Sequence, residues 1–210
     1  MSQKQSIRVT EKKRRPKLAR ERVFKVASDL FYREGIRAVG VETIVKEAGV
    51  AKISLYRSFP SKDELIVAYL ENRNTSYWSK VDKVLAGLDG NPTAQLRAFL
   101  SYVVDRTTAA GYRGCPFINF RAEFPDSAHA GHEVAKANKR EMRARLCQIA
   151  EAMEARQPKQ LADGLLLLIE GTYAISQTLG GGRGGPGHAL IWAAEALVEA
   201  QSGRRKAVAN

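Results

Sequence analysis

Cysteine and histidine are scarce in this chain, with two and three copies in 210 residues. Cys115 and Cys147 have no second pair beside them to suggest a zinc site or a disulfide framework, so two reduced thiols are expected. Three histidines leave little material for a Ser/His/Asp arrangement, and no carboxylate pair stands out, which argues against an enzyme. No residue pattern calls for a cofactor or a resident metal. Long apolar runs are also missing. The most strongly apolar, Leu165 to Ile169, lies between Asp163 and Glu170 and falls far short of the roughly 20 residues that span a bilayer. The basic stretch from Ser2 to Arg22 leads into an amphipathic pattern, where a signal peptide would show an apolar stretch, so a cytoplasmic protein without a membrane partner is expected. Strand alternation is absent as well, and the periodicity is helical nearly everywhere.

What the chain does have is positive charge, unevenly placed. Of the 34 Lys and Arg and 22 Asp and Glu, residues 1–62 hold 16 and 6, leaving a near balance of 18 and 16 for the remainder. Clustered like charges repel, so such a head calls for a polyanion, and nucleic acid leads the candidates. Lys12, Lys13, Arg14, Arg15 and Lys17 precede the first clear helix. They are consistent with a loose arm on DNA and equally with a plain solvated tail.

The helices can be placed one by one. Val23, Ala27, Leu30 and Phe31 recur at helical spacing and Gly35 closes that helix. Val41, Ile44, Val45 and Ala48 mark a short second helix closed by Gly49, and a third short one runs over 52–58. Ser61 and Glu64 form a capping box that starts a long fourth helix. Gly87 to Pro92, Gly111 to Pro116, Pro125 to Gly131, and Pro158 separate the later helices. A charged helix is expected over about 133–156, the most apolar one over 160–179, and its partner over 188–201 with Leu190, Ala193, Ala194 and Leu197 on one side. These last two make an αα-hairpin with an apolar face that a second copy could cover, which predicts a homodimer through helices about 160–179 and 188–201. The loop between them holds a formal G-x-G-x-x-G at Gly180, Gly182 and Gly185. It follows a helix and opens no βαβ unit, so it reads as a flexible connector. The expected fold is all-α, with a basic irregular arm (1–17), a three-helix helix-turn-helix domain (18–63), a second helical domain (64–203) and a tail (204–210).

The stretch from Gly35 to Leu65 carries the function. Two short helices around a tight turn make a helix-turn-helix, in which Ala48 permits a close crossing, Gly49 supplies the left-handed turn, and Val50 and Leu55 fill the space between the helices. Lys52, Ile53, Ser54, Tyr56 and Arg57 are then left facing outward, a mixture of hydrogen-bonding groups and one apolar group suited to base edges. Lys62 belongs to the start of the fourth helix, where its charge and the free amides both attract an anion.

These residues carry a family resemblance. GVETIVKEAGVAKISLYRSFPSKDEL, residues 40–65, closely resembles the DNA-binding domain of TetR/AcrR-type transcriptional regulators, and the similarity extends over about 18–73. GCPFINFRAEFPD, residues 114–126, is similar to a regulatory-domain segment in one branch of that family. The resemblance implies an all-helical homodimeric repressor that binds a palindromic double-stranded DNA operator and releases it when a small-molecule effector enters the second domain. It implies DNA contacts by Lys52, Ser54, Tyr56 and Arg57, a phosphate contact by Lys62, and a further one by Thr43. Arg57 is the candidate for reading a guanine edge, and Tyr56 for holding backbone phosphate. The chain departs from the commonest pattern at Gly40 and Ala51, where Ser or Thr often caps a helix, and at Ser58, where an aromatic or histidine is frequent.

Weaker signals lie further on. Trp78, Phe99, Tyr102, Phe117, Phe120 and Tyr173 are candidates to line a partly apolar effector pocket, and also suit ordinary core. Cys115, beside Arg113, is a candidate redox-sensitive thiol, which leaves an activator or a redox-sensing regulator as alternatives. His129 and His132 stand one helical turn apart, as metal ligands or sensing groups do and as many surface histidines also do.

Overall fold

In a computed structural model the backbone is described over residues 3–126, 128–181 and 185–202, and side chains from residue 17 onward. Among these residues there are nine α-helices, one 3₁₀ turn (Pro186–His188) and no strand. The side chains of the Lys12 to Arg15 cluster, Gly182 and residues 203–210 of the expected tail lie outside the described residues.

Helix α1 (Gln3–Glu34) takes in backbone that was expected to form an irregular arm. Val23, Ala27, Leu30 and Phe31 are buried along it, as their spacing requires, and Gly35 follows with a positive φ. Helix α2 (Val41–Ala48) buries Ile44, Val45 and Ala48. It ends on Gly49, whose φ of 62° and ψ of 40° place it in the left-handed region that glycine enters without a Cβ penalty. The Val50 amide then reaches back to the Val45 carbonyl at 3.1 Å, a hydrogen-bonded stop that turns the chain into α3 (Lys52–Ser58). Neither Gly40 nor Ala51 caps its helix with a side chain.

Helix α4 (Lys62–Leu85) begins as the capping box predicts, with the Glu64 amide donating to the Ser61 hydroxyl at 3.1 Å. The remaining helices are α5 (Pro92–Thr108), α6 (Pro116–Glu123), α7 (Gly131–Ala152), α8 (Pro158–Leu179) and α9 (Ala189–Gln201). Pro92 and Pro158 occupy first-turn positions, where a missing amide hydrogen costs nothing. Asn91 caps α5 by accepting from the Ala94 amide at 3.0 Å.

The chain divides into two units, residues 1–73 with 116–135, and residues 74–115 with 136–210. The division falls inside α4, ten residues beyond the boundary expected at its start, because the first turns of α4 are packed on α1. Tyr69 meets the Phe31 ring edge-on at 5.6 Å, and the Arg73 guanidinium lies over Tyr32 at 4.6 Å while donating to the Ser28 carbonyl. The capping box marks where a helix starts, and a helix start need not be a domain boundary.

In the second unit α8 neighbours both α5 and α9. Leu161, Leu165, Ile169, Leu190 and Ala194 are buried with Leu96, Phe99 and Val103 of α5. The glycine loop after α8 is less loose at its start than its composition suggests. A Cβ on Gly181 would fall 1.8 Å from the Thr107 carbonyl oxygen, so the backbones meet where only glycine fits.

Leu55 is fully buried and Ile53, two residues earlier, is 60% exposed. Leu55→Ala is therefore expected to lower stability by about 2–5 kcal/mol, and Ile53→Ala by no more than about 0.5 kcal/mol, measured by urea unfolding.

Candidate nucleic-acid interface

The recognition surface is built by exclusion. Leu55 and Phe59 point into the core made with α1 and α2, which turns the opposite side of α3 to solvent. Lys52, Ile53, Tyr56 and Arg57 are exposed and Ser54 is half-buried, so five predicted residues share the outer face and flank of one short helix. Thr43 is exposed on α2, the helix before the turn. The C-terminal end of α3 is braced by Arg20, which lies over the Phe59 ring at 4.3 Å and donates to the Ser58 carbonyl. Ser58 itself turns inward along α3, its hydroxyl donating to the Ser54 carbonyl at 3.0 Å.

Two basic residues are engaged in ways that their sequence positions do not reveal. The Lys52 ammonium pairs with Glu42 of α2 at 2.5 Å, and this exposed hydrogen bond raises its pKa. Lys62 donates to the Ile36 carbonyl at 2.7 Å with its ammonium 5.9 Å from the Phe31 ring centroid, and burial lowers its pKa. That amine secures the loop between α1 and α2, whatever else it touches. Arg57 and Tyr56 have no side-chain hydrogen bond or ion pair among the described residues, so both are available to an external partner.

This arrangement is shared with known proteins. The sequence profile of the bacterial regulatory proteins of the tetR family matches residues 23–69. The structure superposes on a putative TetR transcriptional regulator from Streptomyces avermitilis with a TM-score of 0.77 and 30% identity, covering 87% of this chain and 97% of that one. The chain belongs to the TetR family. A TetR-family regulator of Streptomyces coelicolor is 28% identical with a TM-score of 0.82, covering 89% of this chain and 97% of the other. The transcriptional repressor NemR of Escherichia coli is 25% identical over 183 residues, 87% of this chain and 76% of NemR. The α2-turn-α3 segment is thus the DNA-binding element of a transcriptional regulator.

The regulator has a further contact that the sequence does not disclose. Glu123, the last residue of α6, accepts from the Arg37 amide at 2.7 Å, and a Cβ on Gly35 would meet its carboxylate at 3.4 Å. This ties α6 to the loop that precedes α2, both within the first unit. Phe120 lies beside Phe124, His129 and His132 with ring centroids 5.1, 5.2 and 5.1 Å away. His132 is bonded to Arg121 and to the Asp126 carbonyl, and His129 accepts from the Gly131 amide at 2.9 Å. Both histidines are thereby occupied in holding the segment after α6, and among the described residues no cluster of three or more His, Cys, Asp or Glu could hold a metal.

The six aromatics expected to line an effector pocket are divided between the units. Phe117 and Phe120 belong to the first, while Trp78, Phe99, Tyr102 and Tyr173 belong to the second. Within the second unit Trp78 lies 6.4 Å from Phe99, and Tyr77 lies 4.9 Å from Trp78 and 5.7 Å from Tyr102. Trp78, Phe99 and Tyr173 are buried and Tyr102 is half-buried. Cys115 is buried, unbridged, and 3.5 Å from the Lys139 ammonium, which also bonds Glu170 at 2.7 Å.

Two substitutions test these engagements. Lys62→Met leaves the Ile36 carbonyl without its donor and is expected to cost about 1 kcal/mol in thermal unfolding. Glu42→Gln releases Lys52 and is expected to tighten DNA binding at low salt, with the gain fading as salt rises, in a fluorescence-anisotropy titration.

Proposed function

We propose that this regulator is a ligand-responsive repressor, binding a palindromic operator as a homodimer and releasing it when a small molecule enters the second unit. The observation that carries the reading is the outer surface of α3, where Lys52, Ile53, Ser54, Tyr56 and Arg57 surround a core anchored by Leu55. In this arrangement α3 enters the major groove, Arg57 reads a guanine edge, and Lys52, Tyr56 and Thr43 meet backbone phosphates. Lys62 acts mainly by holding the loop before α2. The similarity to a repressor, NemR, supports the sign of the regulation.

A dimer is supported by the apolar surface of the last two helices. Leu167 and Leu179 of α8 are 73% and 64% exposed, and Trp192 of α9 is 73% exposed. Ile175 and Leu197 extend the same kind of surface. Large apolar side chains gathered on neighbouring helices favour burial against a partner, and a second copy supplies a self-complementary one. Two recognition helices joined in this way meet half-sites about 34 Å apart, or a multiple of that spacing. An effector that prefers a different spacing lowers operator affinity by its own difference in affinity between the two states.

A second reading is a thiol-dependent response at Cys115, favoured by the ammonium of Lys139 beside its sulfur. It predicts that peroxide treatment changes operator affinity in the native protein and leaves Cys115→Ser unaffected.

Genome-wide mapping of occupied DNA, followed by anisotropy on the recovered site, tests the main reading. Arg57→Ala is expected to cost about 1–3 kcal/mol and to relax preference at one base position, with equal loss on scrambled DNA speaking against base reading. Trp192→Asp is expected to yield monomers in analytical ultracentrifugation and to weaken operator binding while the helical circular dichroism persists.

A further inference from the structure

The second unit holds a half-buried cation without an anionic partner among the described residues. Arg106 projects from α5 among tyrosines of three helices, with the ring centroids of Tyr77, Tyr102 and Tyr173 at 5.1, 5.8 and 5.9 Å from its guanidinium carbon. One terminal nitrogen donates to the Tyr102 hydroxyl at 3.2 Å. Its Nε is buried and has no hydrogen-bond partner among the described residues. Arg106 has no ion-pair partner among the described residues, whereas the other partly buried cations of this unit do: Lys139 pairs with Glu170, and Arg145 pairs with Asp82 and Glu141.

The tyrosines do not neutralise it. Burial pushes the phenols of Tyr77 and Tyr173 well above their ordinary range, so both remain uncharged at neutral pH. Their hydroxyls meet at 3.2 Å, and the Tyr112 hydroxyl donates to the Tyr173 carbonyl at 3.1 Å, which fixes the α8 side of the cage. Ring faces return part of the hydration that a guanidinium loses. A full counter-charge is still missing among the described residues, and a buried charge without one is costly to keep. A planar fork with an open donor, walled by aromatic faces, matches a carboxylate attached to an apolar body. A phosphate ester brings a second negative charge that one guanidinium does not match.

We propose that Arg106, framed by Tyr77, Tyr102 and Tyr173, anchors the carboxylate of a small organic acid that serves as the effector. This rests on the second unit being the effector domain. Because Arg106 and Tyr102 are half-buried, the anchor is reachable from solvent while its walls are fixed.

Calorimetric titration of the full chain without DNA, using benzoate and octanoate as probes against benzamide, octanamide and phenyl phosphate, tests the site. At least one carboxylate is expected to bind, with its amide and phenyl phosphate at least tenfold weaker. Arg106→Gln is expected to lower the carboxylate affinity at least tenfold while melting no lower than the native chain in the absence of ligand. Arg106→Lys, which keeps the charge and loses the fork, is expected to fall between them and serves if the glutamine variant does not fold. Equal binding of acid and amide, unchanged affinity in both variants, or no binding of either carboxylate overturns the proposal. Operator release is measured separately. Arg106-dependent binding that leaves operator affinity unchanged overturns the effector role and keeps the anion site, whereas release of DNA by a neutral ligand alone keeps the effector reading and overturns the anion site.

Discussion

The burial of Leu55 is the constraint on which the DNA-binding unit depends. Helix α3 has only seven residues, far too few to persist in water by backbone hydrogen bonding alone. It is helical because Leu55 and Phe59 are withdrawn into the core shared with α1 and α2. The same burial decides its rotation, and rotation decides which side chains meet DNA. The left-handed residue at Gly49 sets the direction from which α3 arrives, so packing and turn chemistry together aim a surface that neither specifies alone.

Charge is handled differently in the two units. In the first, exposed Lys52 is restrained by Glu42 and half-buried Lys62 by the Ile36 carbonyl. Restraint of this kind lowers the rotamer entropy that a long side chain loses on binding, and it moderates a field that would otherwise attract any nucleic acid equally. In the second unit the other partly buried cations, Lys139 and Arg145, are matched by carboxylates, and among the described residues Arg106 is instead surrounded by rings and hydroxyls. Keeping a partly buried cation without a carboxylate partner costs free energy that binding an anion recovers.

The segment around α6 connects these themes. Phe117 and Phe120 are candidates for pocket lining, yet Phe120 packs with Phe124 and two histidines while Glu123 accepts from the Arg37 amide just ahead of α2. A carboxylate fixed to that loop gives α6 a direct hold on the element that carries the recognition helix. Displacement of α6 would therefore be felt at the loop before α2 through the Glu123–Arg37 hydrogen bond and the Arg37–Phe124 contact.

The sequence by itself determined the helical class, nearly every helix boundary and the outward face of α3. These follow from local rules: apolar spacing, the Ser61 cap, Pro92 and Pro158 in first turns, and Gly49 at a left-handed stop. Burial in a helix repeats every three to four residues, so it leaves a readable trace. The tertiary structure alone decided the partnership of Lys52 with Glu42, the anchoring of Lys62, the allotment of α6 and the start of α4 to the first unit, and the cage around Arg106. Each of those depends on residues brought together from separate helices or across a turn. Tyr77, Tyr102 and Tyr173 meet Arg106 only after α4, α5 and α8 have packed, and no periodicity along one helix encodes what faces it from another.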